Sequence, residues 1–194
     1  MSRRLQPAMV ITLYADRRFH DIADLAGGLA QAMASHDVAV RVAVIAATQH
    51  GEAAPALTGQ VDVLSPGNPG EVSRYLSSFS PHFKVTLVAL GGAPNEHVLA
   101  TLDASDRVLL VSDPTVTSLR ATQRALRLCG SLGYGSEKVS ILLHGFTDET
   151  PIVPAEAAAV LKRDILGVIP GPGSDPVARA SAFRNVADRL TARL

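Results

Sequence analysis

This sequence of 194 residues has a single cysteine, no tryptophan and no net charge, since its acidic and basic side chains are equal in number. A single cysteine excludes an internal disulfide and a metal site built from thiolates. With 18 Lys and Arg against 18 Asp and Glu, the chain as a whole is not an electrostatic binder of nucleic acid. We expect Cys129, on the apolar side of a predicted helix, to be a buried and inert thiol.

Long apolar runs are also missing. No run approaches the ~20 residues of a transmembrane helix. The start of the chain, MSRRLQPAMVITLYADRR, places basic residues before an apolar run. That run is too short for the core of a signal peptide, and no small-residue cleavage site follows it. The sequence therefore predicts a soluble, cytoplasmic protein.

The clearest fold signal lies between residues 106 and 145. An apolar run at 108–111 has the length of a strand buried on both faces. A helix follows, glycines at 130, 133 and 135 end it, and a second apolar run occupies 139–143. The apolar side of the helix is predicted to contain Leu119, Ala125, Leu126, Leu128, Cys129 and Leu132. Strand, helix and strand at this spacing form a βαβ unit with parallel strands.

The same alternation runs through the rest of the chain. Further strands are predicted at 9–15, 38–47, 61–64, 85–90 and 165–169, and helices at 22–36, 71–79, 94–102, 155–163 and 176–194. Ser174 or Asp175 is the expected N-cap of the last helix. This order predicts a single α/β domain over residues 1–194, a three-layer α/β/α sandwich on a mostly parallel, Rossmann-like sheet. Ligands of such sheets bind at the carboxyl ends of the strands.

Several segments resemble the MinD/ParA family of deviant-Walker P-loop ATPases, and within it the CpaE/TadZ branch linked to pilus assembly and polar localisation. The segments are DRVLLVSDPTVTSLRATQRALRLCGSLGY, KVSILLHG, DILGVIPG and the opening VITLYADRRFHDIADLAGGLAQAMA. The resemblance covers most of the chain and consists of apolar and turn residues. It implies a P-loop NTPase-like fold, a homodimer that meets across the nucleotide loops, and protein partners.

The residues that the resemblance aligns with the nucleotide site depart from the family pattern. Opposite the family's KGGVGKT stand Arg17, Arg18, Phe19, His20, Asp21, Ile22 and Ala23. Ile22 takes the place of the phosphate-binding lysine and Ala23 that of the magnesium-ligand hydroxyl. The aspartate at a strand end falls near Ala89, and the asparagine that reads adenine falls at His144. We therefore expect no catalytic residue, no nucleotide cofactor and no magnesium-dependent ATP hydrolysis.

The favoured interpretation is a non-catalytic pseudo-ATPase, a scaffold or localisation factor that acts through protein contacts as a homodimer. The system served would be a bacterial pilus or polysaccharide secretion apparatus, with membrane association only through a partner. Candidate partner or dimer contacts are Arg17, Arg18, Gly91, Gly92, Arg120, Arg124 and Arg127. One alternative is a regulatory switch that still binds ATP or ADP. Another is a small Rossmann-like enzyme with an anionic substrate near Arg17, Arg18 and Gly91-Gly92.

Plainer interpretations stay open beside these. The paired arginines at 17 and 18 suit a solvated loop, and the arginines of the helix that starts near residue 116 suit an exposed face. The last helix carries four arginines, at 179, 184, 189 and 193, and its apolar side favours sheet cover over a membrane surface. DNA binding would need the arginines of the last two long helices to form one patch, and would depend steeply on salt. No metal is expected, because the cluster of Asp16, His20, Asp21 and Asp24 offers no third ligand at a suitable spacing.

Overall fold

The computed structural model describes residues 9–17, 19, 21–36, 42–47, 61–64, 71–79, 83–147 and 149–192. Strands and helices alternate through these residues. In chain order they are β1 (Met9–Ala15), α1 (Ile22–His36), β2 (Val42–Ala47), β3 (Val61–Leu64), α2 (Val72–Phe79), β4 (Val85–Gly91), α3 (Glu96–Asp103), β5 (Arg107–Ser112), α4 (Val116–Ser131), β6 (Val139–His144), α5 (Pro154–Leu161), β7 (Ile165–Ile169) and α6 (Pro176–Thr191).

The strands form one seven-stranded sheet in the order β3-β2-β4-β1-β5-β6-β7. Every described pair of neighbouring strands is parallel. In the centre, Leu13 of β1 lies between Ala89 of β4 and Leu109 of β5. Because all the strands point the same way, the residues after β1, β4, β5, β6 and β7, starting at Asp16, Gly92, Asp113, Gly145 and Pro170, lie at one edge. We call this the loop edge.

Alternate residues of the strands belong to two apolar layers, one on each face of the sheet. On one face, Ile11, Leu13 and Ala15 of β1 pack in one buried cluster with residues of α1 and α6. On the other face, Val10 and Tyr14 join a cluster with residues of α2, α3 and α4. A third cluster links α4, β6 and α5. Helices therefore cover both faces, and the predicted three-layer α/β/α sandwich on a parallel sheet is confirmed.

Helices α1 and α6 pack at close range. A Cβ added at Gly28 would lie 2.3 Å from Phe183 Cζ, so only glycine admits the ring at this point. Asp175 is the N-cap of α6, since its carboxylate accepts hydrogen bonds from the backbone N–H groups of Val177 and Ala178. The apolar side of α6 is buried in this packing. Helix α6 therefore covers the sheet, which is the role that the sequence favoured over membrane binding.

The differences from the sequence predictions concern helix ends and one helix face. Helix α3 starts at Glu96 because Asn95 caps it, and α5 ends at Leu161 because Lys162 has a left-handed backbone, φ 51°. On α4, Leu132 is 37% exposed, whereas Ser118 and Thr122 are buried. Leu132 is the C-cap of α4, beyond its last helical residue, so it does not extend the buried side of the helix. Predicted elements at 38–41 and 193–194 lie outside the described residues.

Candidate functional site

Charged side chains meet at the loop edge because they follow neighbouring strands. Asp16 comes directly after β1, and Asp113 comes directly after β5, the strand beside it. His144 ends β6, the next strand in the sheet. The loop after β1, residues 16–21, contains most of the segment 17–23 that the resemblance aligned with a phosphate loop. Its residues Arg18 and His20 lie outside the described residues.

Arg17 is held by an ion pair across the sheet. Its guanidinium contacts Asp113 Oδ2, and Thr115 Oγ1 donates to the other oxygen of Asp113 at 2.6 Å. The guanidinium carbon lies 5.2 Å from the centre of the Phe19 ring. Arg17 Nε is buried and has no hydrogen-bond partner among the described residues. Arg17, which was predicted to contact a partner, therefore makes these contacts within its own chain.

Asp16 is paired with Arg124 of α4. Arg124 Nε donates to Asp16 Oδ2 at 3.0 Å, and Nη2 lies 3.5 Å from the Asp16 carbonyl oxygen. The Asp16 side chain is only 6% exposed, whereas that of Arg124 is 56% exposed. The three arginines of α4 that were predicted as partner contacts thus differ in their environment. Arg124 neutralises a buried carboxylate, and Arg120 and Arg127 are exposed.

His144 closes the other side of the loop. Its Nε2 lies 3.1 Å from Asp21 Oδ2, and its side chain is 4% exposed. The Phe19 ring lies between His144 and Arg17, with its centre 5.8 Å from that of the imidazole. His144 Nδ1 is buried and has no partner among the described residues.

The three positions that the sequence resemblance aligned with the family's lysine, hydroxyl and aspartate lie in the apolar core. Ile22 is 1% exposed, Ala23 is 6% exposed and Ala89 is fully buried. All three belong to the cluster between the sheet and the helices α1 and α6. None of these side chains can neutralise a phosphate or bind magnesium. The described residues of the loop do not fit a magnesium nucleotide in the way that the family site does.

Gly91 and Gly92 anchor the loop after β1. Gly92 has φ 124°, and its N–H donates to the carbonyl oxygens of Ala15 at 3.1 Å and Arg17 at 3.0 Å. A Cβ on Gly91 would lie 3.4 Å from the Arg17 carbonyl oxygen. Tyr14 donates to the Gly92 carbonyl oxygen at 3.1 Å, and burial raises its pKa, so the phenol stays a donor. In this arrangement the Gly92 N–H is committed to the protein and cannot bind an anion.

Other reactive groups are few in the described part of the chain. Residues 9–192, apart from the gaps given above, hold no group of three His, Cys, Asp or Glu residues placed to bind a metal. Cys129 is buried, and its burial raises the pKa of the thiol. Sequence reasoning missed the pairings of Asp16 and Asp113. The available signal was their position, since each directly follows a buried strand.

Comparisons with solved structures identify the fold. The MinD cell-division ATPase of Pyrococcus furiosus superposes with a TM-score of 0.75 at 16% identity, over 96% of this chain and 100% of that one. A ParA-family ATPase from Chlorobium tepidum has a TM-score of 0.72 at 16% identity, over 95% and 92%. A chain of the MinC:MinD cell-division complex of Aquifex aeolicus has a TM-score of 0.71 at 16% identity, over 95% and 96%.

The class defined by this comparison is the MinD/ParA-type P-loop NTPase fold. The resemblance stated from the sequence is confirmed at the level of the fold. No protein-family model matches the chain, and no curated protein matches it. Among the described residues, no helix is both long and apolar enough to span a bilayer.

Proposed function

We propose that this protein is a non-catalytic member of the MinD/ParA-type fold, a scaffold or localisation factor that acts through protein contacts. The observation that carries the proposal is the state of the loop after β1. Where the fold's ATPases place a phosphate loop, this chain has Asp16 and Asp21, each paired with its own partner, Arg124 or His144. Both carboxylates of the loop are therefore engaged by side chains of the same chain.

Charge and packing both oppose a nucleotide in this loop. Phosphate loops use small residues so that successive backbone N–H groups converge on a phosphate, and a lysine to neutralise it. Here Phe19, at 7% exposure, fills the middle of the loop and Ile22 occupies the lysine position inside the core. Asp16 would repel the phosphates. A triphosphate would have to displace Asp16 from Arg124 and would meet no lysine in return.

Protein partners are the expected ligands. The solved neighbour from Aquifex aeolicus is a MinC:MinD complex, so one protein of this fold assembles with a partner. The CpaE/TadZ-like segments support a role in a bacterial pilus or polysaccharide secretion apparatus. That part of the proposal depends on sequence resemblance alone. We further propose that the protein is a homodimer.

Nucleotide titration tests the proposal. Thermal unfolding and calorimetry with ATP, ADP and magnesium should show no stabilisation and no binding heat. A ligand bound to the folded state at a hundred times its Kd would stabilise it by about 2.7 kcal/mol. Such a shift would overturn the non-catalytic scaffold. A matched titration of Asp16→Asn, which removes the buried charge, would show whether the carboxylate alone excludes the nucleotide.

A nucleotide-regulated switch is the second candidate. It is favoured by the fold, because the neighbours from Pyrococcus furiosus and Chlorobium tepidum are ATPases. In that case ADP or ATP would bind with the pairs of Asp16 and Asp21 rearranged. Stabilisation by nucleotide without phosphate release would distinguish this switch from both the scaffold and an active ATPase.

A further inference from the structure

An apolar groove lies between α4 and α5, on the face of the sheet opposite α1 and α6. Its volume is about 530 Å³. Its lining includes Val116, Arg120, Glu156, Ala159 and Val160. Val116 is 57% exposed and Val160 is 47% exposed. Among the described residues, only Leu132 and Val177 are further large apolar side chains with such exposure. Two of these four exposed side chains thus belong to one groove.

Helix α5 is apolar on its outer side as well as on its inner side. Its sequence is PAEAAAVL, in which Glu156 is the single polar residue. Ala157 and Leu161 are buried against α4 and β6, while Ala159 and Val160 face outward and are exposed. A helix that is hydrophobic all round is normally buried. Small side chains such as Ala159 also let a second helix approach closely. The outer side of α5 therefore has the composition of an interface.

Two opposite charges flank the groove. Arg120 comes from the second turn of α4, and Glu156 comes from the first turn of α5. No described residue makes a hydrogen bond or ion pair with the Arg120 guanidinium. The Glu156 carboxylate accepts only the Val153 N–H, at 3.3 Å, in the contacts of the described residues. Within the described part of the chain, each charge is left without a partner of opposite sign.

We propose that the groove binds the same groove of a second copy of this chain. In a two-fold interface, residue i of one protomer contacts residue j of the other, and the reverse contact is made as well. An axis along the groove would place α4 beside the partner's α5. Arg120 would then meet Glu156 of the other protomer twice, and Val116 and Val160 would be covered. Because the groove carries both signs, it complements itself better than it complements a uniformly acidic or basic surface.

This inference rests on the homodimer proposed above and places its interface at α4 and α5 instead of the loop edge. It does not depend on the proposed lack of catalysis. Sedimentation equilibrium of the full chain tests it. The wild type should be a dimer, and Val160→Asp should weaken association at least about tenfold, as expected for a central apolar contact. Val177→Asp is the matched control. It places the same charge on a valine that is 72% exposed on α6, and it should leave the dimer intact.

Charge reversal gives a test that does not require any variant to bury a charge. Arg120→Glu alone and Glu156→Arg alone should each weaken self-association, since like charges would face each other across the two-fold axis. A mixture of the two variants should associate more tightly than either alone. In the mixed dimer, one protomer carries a carboxylate at both positions and the other carries a guanidinium at both, so each of the two contacts again joins opposite charges.

Three results would overturn the proposal. The first is a monomeric wild type at its highest soluble concentration. The second is a dimer that His97→Asp, on the exposed start of α3 at the loop edge, dissociates while Val160→Asp does not. The third is a mixture of the charge variants that associates no better than the separate variants. Circular dichroism of each variant confirms that it is folded.

Discussion

Arg124 and Asp16 are 108 positions apart in sequence, yet Arg124 Nε lies 3.0 Å from Asp16 Oδ2 at the carboxyl end of β1. The pair lies at the start of the loop after β1, most of which the sequence resemblance aligned with a phosphate loop. The arginine is exposed enough to be reached by water, and the aspartate is not. The carboxylate therefore depends on Arg124 for its compensation.

Arg124→Ala should destabilise the fold. The substitution leaves Asp16 buried without its partner, and the cost of an unsatisfied buried group is about 1–3 kcal/mol. Because Arg124 is exposed, water can reach Asp16 in this variant, so the loss of stability should lie near the lower value. Arg127→Ala removes an exposed arginine from the same helix and should change stability by less than about 0.5 kcal/mol. Urea unfolding of both variants measures the difference.

The double variant Asp16→Asn with Arg124→Ala completes the cycle. If the pair acts as the geometry indicates, the second substitution should recover part of the loss, since no buried charge remains. If the double variant loses as much stability as the two single variants, Asp16→Asn and Arg124→Ala, lose together, the ion pair carries no coupling energy.

The order of the elements could be predicted from the sequence because buried parallel strands are short apolar runs separated by helical patterns. The ion pairs could not. Pairing of Asp16 with Arg124 and of Arg17 with Asp113 requires β1 and β5 to be neighbours, and the sheet order β4-β1-β5 is set by packing of the whole chain. The predicted strands at 9–15 and 139–143 did end directly before Asp16 and His144, at the edge where ligands of parallel sheets bind. That position does not choose partners.

Gly28→Ala should destabilise the packing of α1 against α6. The new Cβ would lie 2.3 Å from Phe183 Cζ, and the three nearest atoms all belong to that ring. Overpacking of this kind costs about 1–3 kcal/mol. The control is Gly130→Ala in α4, where a Cβ meets nothing within 4 Å. That substitution should stabilise the helix by about 0.5–1 kcal/mol. Thermal unfolding should move the two midpoints in opposite directions.

A lysine at position 22, which the resemblance aligned with the family's phosphate-binding lysine, should not create nucleotide binding. Ile22→Lys places an ammonium group where the side chain is 1% exposed, so the variant should be less stable than the wild type. Asp24→Lys, on the exposed side of the same helix turn, is the control, with a loss of about 0.3–1 kcal/mol from the helix dipole. Unfolding in urea with and without magnesium ATP measures both effects. Stabilisation of Ile22→Lys by the nucleotide would contradict the prediction.

Cys129 should make stability fall at alkaline pH. Burial raises the pKa of its thiol in the folded state, so the folded protein holds this proton more tightly than the unfolded chain does. The contribution is fully present below the ordinary thiol pKa of about 8.5, and it is lost as pH rises through the higher folded pKa. Cys129→Ala should lower stability at neutral pH, because it removes a buried side chain, but its stability should fall less steeply above that pH. Because both proteins share every other titrating group, the difference between their urea midpoints, followed from neutral to alkaline pH, isolates the thiol. Parallel slopes would mean that Cys129 titrates alike in the folded and unfolded states.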